Sequence, residues 1–128
     1  MSYNPSFDID FTRGVAGENL AKKFLFGTHE VKTDYKTVQT GNFYIETWQQ
    51  PNGKDWKPSG INTTEANFWV QASPIGTGGI FISTSALKEL LREKQPPEAE
   101  QPVVNSETAA SKGRLVKASD VMRKLGFL

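Results

Sequence analysis

Two runs of strict alternation restrict this chain more than any other feature. In HEVKTD, Glu30, Lys32 and Asp34 take every second position, while His29, Val31 and Thr33 take the others. In NFYIETW the same period puts Asn42, Tyr44, Glu46 and Trp48 together. A repeat of two sorts side chains this way only in an extended strand. Between the runs lies Thr-Val-Gln-Thr-Gly-Asn, a Gly/Asn-containing segment of suitable length for a β-hairpin loop. With residues 36 and 42 as the loop's flanks, Glu46 falls opposite Lys32 and diagonal to Glu30 and Asp34. A register two residues away sets Glu46 opposite Asp34. In both registers three carboxylates and one lysine share a sheet face.

Such a face is costly on its own. Two carboxylates about 4 Å apart repel by roughly 4 kcal/mol at an effective dielectric near 20, and a single lysine offsets only part of that. A bound divalent cation, or a raised pKa on one carboxylate, resolves the conflict. Ligation by oxygen alone favours Mg²⁺ or Mn²⁺ over zinc. The plainer alternative is a solvated hairpin face with cross-strand ion pairs. Composition narrows the chemistry further. Without cysteine there is no disulfide framework, thiolate metal site or cysteine nucleophile, and with His29 the one histidine, a histidine zinc site is excluded in practice. A net charge of +1 argues against a basic nucleic-acid coat but leaves room for a local patch. No signal peptide or membrane-length apolar run is present, so a soluble intracellular protein of one domain is expected.

Along the chain, residues 1–13 read as an extended lead-in or edge strand, with Asp8 and Asp10 either solvated or a metal pair. Ala16, Leu20 and Phe24, spaced by four, predict a helix over 14–24. On it Glu18 either pairs with Lys22 or aims at the acidic face. After a Pro51-Asn52-Gly53 turn, Lys54, Trp56 and Lys57 form a basic-aromatic loop suited to a phosphate backbone or a base; a solubilising loop with one packed Trp is the alternative. A short helix capped by Thr63 or Thr64 is expected to end at Asn67. Strands follow at 68–72 and 79–84, then a helix capped by Ser85 and ending near Lys94. Residues 95–113, rich in Pro, Glu and Ser, read as a mobile loop or insertion. A last strand at 114–118 and a helix over 121–125, capped by Ser119-Asp120, complete an α/β sandwich around a mixed sheet.

The Glu-bearing first helix, the EVKTD strand and the TGNFYIE strand resemble the PD-(D/E)XK nuclease superfamily, as do KPSGINTTEANFWV and SKGRLVKASDV. The closer likeness is to small phage and cyanophage endonucleases of the Holliday-junction-resolvase-like branch, which includes free-standing homing endonucleases. It covers nearly the whole chain outside 95–110. The resemblance implies a restriction-endonuclease-like core, a mixed sheet flanked by helices, and Mg²⁺-dependent hydrolysis of DNA phosphodiester bonds, with Mn²⁺ as a substitute. It implies a homodimer on DNA, in the host cytoplasm of a phage-infected bacterium. Residue by residue, Glu18 is the helix carboxylate, Asp34 the metal-bridging aspartate and Glu46 the acid of the (D/E)XK element, with Glu30 an extra ligand. The pattern departs at Trp48, where the family has lysine; Lys32 would supply the missing ammonium from the neighbouring strand. Taking Glu30-Val31-Lys32 itself as the element leaves no aspartate strand before it. Lys36, Lys54, Trp56, Lys57, Arg114 and Lys117 are the candidates for holding DNA. The competing expectation, supported by Trp48, is a catalytically inactive nucleic-acid-binding phage protein on the same fold.

Overall fold

The computed structural model describes residues 5–35, 37–103 and 108–128. In chain order the elements are α1 (Pro5–Phe26), β1 (His29–Thr33), the single turn α2 (Thr37–Thr40), β2 (Asn42–Pro51), β3 (Lys57–Pro58), a 3₁₀ turn (Gly60–Asn62), β4 (Phe68–Ala72), β5 (Gly79–Ser83), α3 (Thr84–Lys94), β6 (Glu98–Pro102), β7 (Thr108–Lys117) and α4 (Ala118–Lys124). The class is α/β. The strands form two sheets, a three-stranded one ordered β1-β4-β5 and a four-stranded one ordered β3-β2-β7-β6. One apolar cluster joins them: Phe43, Ile45 and Val116 from the larger sheet meet Trp69 and Ile82 from the smaller, with Leu87, Leu90 and Val121 from α3 and α4. Lys124 ties those two helices by reaching Glu89 and Glu93, one turn apart on α3.

The expected hairpin does not form. β1 runs parallel to β4, with His29 opposite Phe68 and Thr33 opposite Ala72, whereas β2 lies in the other sheet between β3 and β7. Asp34 diverts the chain: its Oδ1 accepts the Thr37 N–H at 2.8 Å, capping the helical turn that leads away from β1. Gly41, at φ +71°, then reverses the chain into β2.

Five other expectations change. The first helix starts at Pro5, so 5–13 is helical, neither lead-in nor strand. No helix spans 63–67; the ordered turn is the 3₁₀ turn before it. Helix α3 is capped two residues early, by Ser83, whose Oγ accepts the Ala86 N–H, and α4 starts at Ala118 without a side-chain cap. The segment read as a mobile loop or insertion holds β6 and most of β7, paired from Glu98 opposite Arg114 to Pro102 opposite Ala110. Its polar, proline-bearing composition is that of a solvated edge strand, which resembles a loop in sequence. The strand at 68–72 stands as expected, and the one expected at 79–84 ends at Ser83, where Thr84 opens α3.

Candidate active site

Burial along β1 is inverted. Val31 is 59% exposed, while Glu30 and Lys32 are half-buried. The cross-strand register explains why. Glu30 and Lys32 oppose Trp69 and Gln71 and therefore share their face of the small sheet, which looks toward the core and β2. His29, Val31 and Thr33 share the other face with Phe68.

On β2, Phe43, Ile45 and Thr47 are buried, and Tyr44 and Glu46 point the other way. Lys32, Asp34, Tyr44, Glu46 and Gln71 line one cavity of about 240 Å³, with Thr33, Tyr35 and Gln101 at its borders. The pairing of Lys32 with Glu46 is therefore made between sheets rather than across a hairpin. Lys32 Nζ lies 3.6 Å from Glu46 Oε2 and 3.5 Å from Glu30 Oε1. Glu30 reaches the site through that lysine and does not line the cavity.

Asp34 is held at both oxygens. Oδ1 accepts the Thr37 N–H, and Oδ2 accepts Gln71 Nε2–H at 2.8 Å. Gln71 in turn accepts the Trp69 indole N–H at Oε1, 2.7 Å away. An indole only donates, so the Gln71 carboxamide has one possible orientation, and its NH₂ must point at Asp34. Nothing in the alternation of residues 68–72 marks Gln71 as functional. The available signal was a lone amide in an otherwise apolar buried strand.

A β-bulge decides the position of Trp48. Glu46 opposes Gly113 on β7, but Trp48 opposes Lys112, with the register shifting between them. Consecutive residues of β7 project to opposite faces, so Trp48 faces away from Glu46. It lines a different cleft, with Thr47, Ile61 and Arg114. The extra residue, Thr47, is clamped: its carbonyl accepts Ser59 N–H and Asn62 Nδ2–H, each at 2.9 Å, and its Oγ1 donates to the Lys112 carbonyl. Gly60, at φ +54°, lies so close that a Cβ there would sit 2.2 Å from the Glu46 carbonyl oxygen. The PSGI segment thus buttresses the strand that carries Glu46.

Across the sheet, the Tyr44 ring lies over Gly113, where a Cβ would come within 2.7 Å of it, and its hydroxyl meets Ser111 Oγ at 2.7 Å. Burial pushes the Tyr44 hydroxyl pKa up, the bond to Ser111 partly offsets this, and the Glu46 charge adds to the rise.

Glu18 is not part of the cavity. Helix α1 docks through Phe24, whose ring packs on His29, Phe68 and Phe81, on the face of the small sheet opposite Gln71. Glu18 is exposed there. His29 is spent on the same packing, its Nε2–H donating to the Phe24 carbonyl, so the chain's one imidazole has no place among the cavity residues.

The candidates for holding DNA divide between faces. Lys57 opposes Gln49 and Lys117 opposes Asn42, which puts both on the Glu46 face. Arg114 opposes Ile45 on the reverse face, and its guanidinium donates to the Pro96 carbonyl. Trp56 lies beneath Lys112 Nζ, 4.4 Å from the ring centre. Lys54 sits in the exposed turn after β2, and Lys36 is outside the described residues.

The cavity's donor set suits a hard cation. Asp34 brings a carboxylate whose two oxygens are held by the Thr37 amide and Gln71, and Glu46 adds a second carboxylate. Among the described residues no three His, Cys, Asp or Glu side chains gather as a cage. Two carboxylates without imidazole or thiolate could hold Mg²⁺, which seldom uses an all-protein cage, and are not the donor set zinc prefers. No protein-family model, curated protein or solved structure matches the chain.

Proposed function

We propose that this protein is a metal-dependent DNA endonuclease hydrolysing phosphodiester bonds, of the PD-(D/E)XK kind, phage-encoded and resolvase-like or homing-type. The observation that carries the reading is the convergence of Asp34, Glu46 and Lys32 on one cavity from two different sheets. Asp34 and Glu46 would hold Mg²⁺, or Mn²⁺ in its place. When bound, that cation polarises the scissile phosphate and provides a nucleophile at neutral pH. Lys32, steadied by Glu30 and Glu46, stabilises the extra negative charge at pentavalent phosphorus and orients the attacking water. Gln71 and the Thr37 amide keep the Asp34 carboxylate from rotating. Tyr44 stays protonated and anchored on Ser111, closing the floor of the cavity. Tyr35, 71% exposed at the cavity's edge, presents a ring on which an unpaired base can stack. Lys57 and Lys117, on the Glu46 face, are placed to receive phosphates.

The bulge answers the objection raised by Trp48. A lysine at that position would not face the carboxylates, and Lys32 does. The partners are DNA and a second copy of the chain, and the setting is the cytoplasm of an infected bacterium. Among the described residues no helix is long and apolar enough to cross a membrane.

The test is cleavage of supercoiled plasmid with Mg²⁺ or Mn²⁺. Asp34→Ala and Glu46→Ala should each abolish nicking while the circular-dichroism spectrum stays native; full activity in either variant refutes the assignment. A four-way junction, a linear duplex and single-stranded DNA, digested in parallel, identify the substrate. A wild-type protein that binds DNA but neither binds Mn²⁺ nor cuts would establish the inactive nucleic-acid-binding alternative.

A further inference from the structure

The bulge that turns Trp48 away from Glu46 also gives the reverse face of the large sheet a cleft of its own. Trp48, Ile61 and Leu91 supply its apolar surface, and Arg92, Arg114 and the Gln95 amide its polar groups, around a volume of about 400 Å³. That volume falls within the roughly 300–1,000 Å³ of small-molecule sites. No residue lining it is acidic. Two guanidiniums thus border one cleft in a chain whose net charge is only +1.

Among the described residues no carboxylate forms an ion pair with Arg92 or Arg114. Glu89, three positions before Arg92, is bonded to Lys124 instead. Arg114 opposes Glu98 on β6 but gives its one bond to the Pro96 carbonyl, and a guanidinium has five N–H groups to give. Gln95 adds a second observation. It closes α3 in the left-handed region, at φ +44° and ψ +55°, and is the one non-glycine residue with positive φ among those described. Helices commonly take glycine at such a point, because a side chain is strained there. The proline that follows, Pro96, further disfavours helical backbone at the residue before it. Strained residues of this kind gather at ligand sites. Here the strain sets an amide, both donor and acceptor, at the border of the cleft.

The geometry points to this cleft as a binding site for a nucleoside phosphate. The base stacks on Trp48 against Ile61 and Leu91, Gln95 bonds its edge, and Arg92 and Arg114 hold the phosphate. An indole is a broad stacking surface for a base, and the guanidinium fork fits phosphate oxygens in pairs. An uncharged ring would leave the arginines unanswered, and inorganic phosphate alone would leave the indole bare. The site lies on the opposite face of the sheet from Glu46. It needs neither metal nor DNA cleavage, so it stands apart from the nuclease reading.

Calorimetric titration of the full-length protein with AMP, in EDTA, tests it. A Kd of about 10–100 µM is expected for a ligand of this size, with adenosine and inorganic phosphate each about tenfold weaker or more. Arg92→Glu and Gln95→Gly change exposed positions, so both should keep a cooperative thermal transition. Arg92→Glu should weaken AMP about tenfold or more, and Gln95→Gly about fivefold. Gln95→Gly should also melt higher than the wild type, because glycine relieves the left-handed strain; a purely structural glutamine would not couple that gain to a loss of ligand. Lys88→Glu, exposed on α3 outside the cleft, should bind AMP like the wild type. AMP binding by a protein that neither binds Mn²⁺ nor cuts DNA would support the site while refuting the nuclease reading. A single-stranded oligoadenylate that binds over about 100-fold tighter than AMP, and loses that affinity in Arg92→Glu, would make the face a strand track and overturn the proposal. So would a wild type that takes up no AMP at about 1 mM, or an AMP affinity indifferent to both Arg92→Glu and Gln95→Gly.

Discussion

Replacing Gln71 by Leu removes two hydrogen bonds and almost no volume, so it isolates what the buried amide does. The bond from Nε2 to the Asp34 carboxylate, 2.8 Å long, is of the charged kind that contributes about 1.5–3 kcal/mol. The Trp69 indole N–H, in a residue 1% exposed, would lose its acceptor, which costs about 1–3 kcal/mol. Because both losses pass through one side chain they are not additive, and a net destabilisation of about 2–4 kcal/mol is expected. For a domain of this size that lowers Tm by roughly 8–15 °C. The second consequence concerns the site: an aspartate freed at Oδ2 should bind Mn²⁺ about 10–100-fold more weakly. Calorimetric titration with Mn²⁺ and thermal denaturation of the same preparation measure the two effects separately. Gln71→Glu sharpens the comparison. It keeps an acceptor for Trp69 but sets a carboxylate against Asp34, and two carboxylates in contact share a proton, so metal binding should move to higher pH. A Gln71→Leu protein that loses stability yet binds Mn²⁺ with wild-type affinity would show that the amide serves packing alone, and the positioning argument would fail.

Lys32→Ala should slow cleavage while Mn²⁺ binding persists, and adding Trp48→Lys should not restore the rate, because position 48 projects to the reverse face; rescue in a plasmid-nicking assay would contradict the register. Gly60→Ala forces a left-handed backbone, at about 1–2 kcal/mol, and drives a Cβ to 2.2 Å from the Glu46 carbonyl. Urea denaturation should therefore show a loss above about 3 kcal/mol together with weakened metal binding. The raised Tyr44 pKa has a defined sign: the native state holds that proton more tightly than the unfolded chain, so its contribution is complete below the ordinary value of 10.0 and declines above it. Chemical denaturation between pH 8 and 11 should show a fall in stability that begins near pH 10 and is smaller in Tyr44→Phe.

How much of this was readable in advance depends on the range of the interaction concerned. The alternation of 29–34 and 42–48 reports which side chains share a strand face, and that was enough to bring Lys32, Asp34 and Glu46 into one candidate group. It does not report which strand lies alongside. β1 pairs with a segment 39 residues further on, His29 with Phe68, and the nearby turn-like residues 37–40 form a helical turn held by Asp34. Glu18 was assigned from a resemblance, and the aromatic contact at Phe24 carries its helix to the wrong face. Gln71 was missed because its function comes from two buried partners, one of them 37 positions away. Residues 95–113 were misjudged because an edge strand facing water needs no apolar periodicity. In Asn42–Trp48 the period of two fails at one residue, Thr47, whose stabilising partners come from 59–62 and 112.

That single inserted residue acts as a half-period phase shift along β2. Upstream of it the even-numbered Tyr44 and Glu46 take one face of the sheet; downstream the odd-numbered Gln49 takes that face, opposite Ser111 and Lys57. A motif counted along the chain therefore slips out of step with the surface it is meant to describe. The strand bearing the acid no longer has a side chain two places on that can reach it, and the ammonium that does reach it, Lys32, comes from the neighbouring sheet.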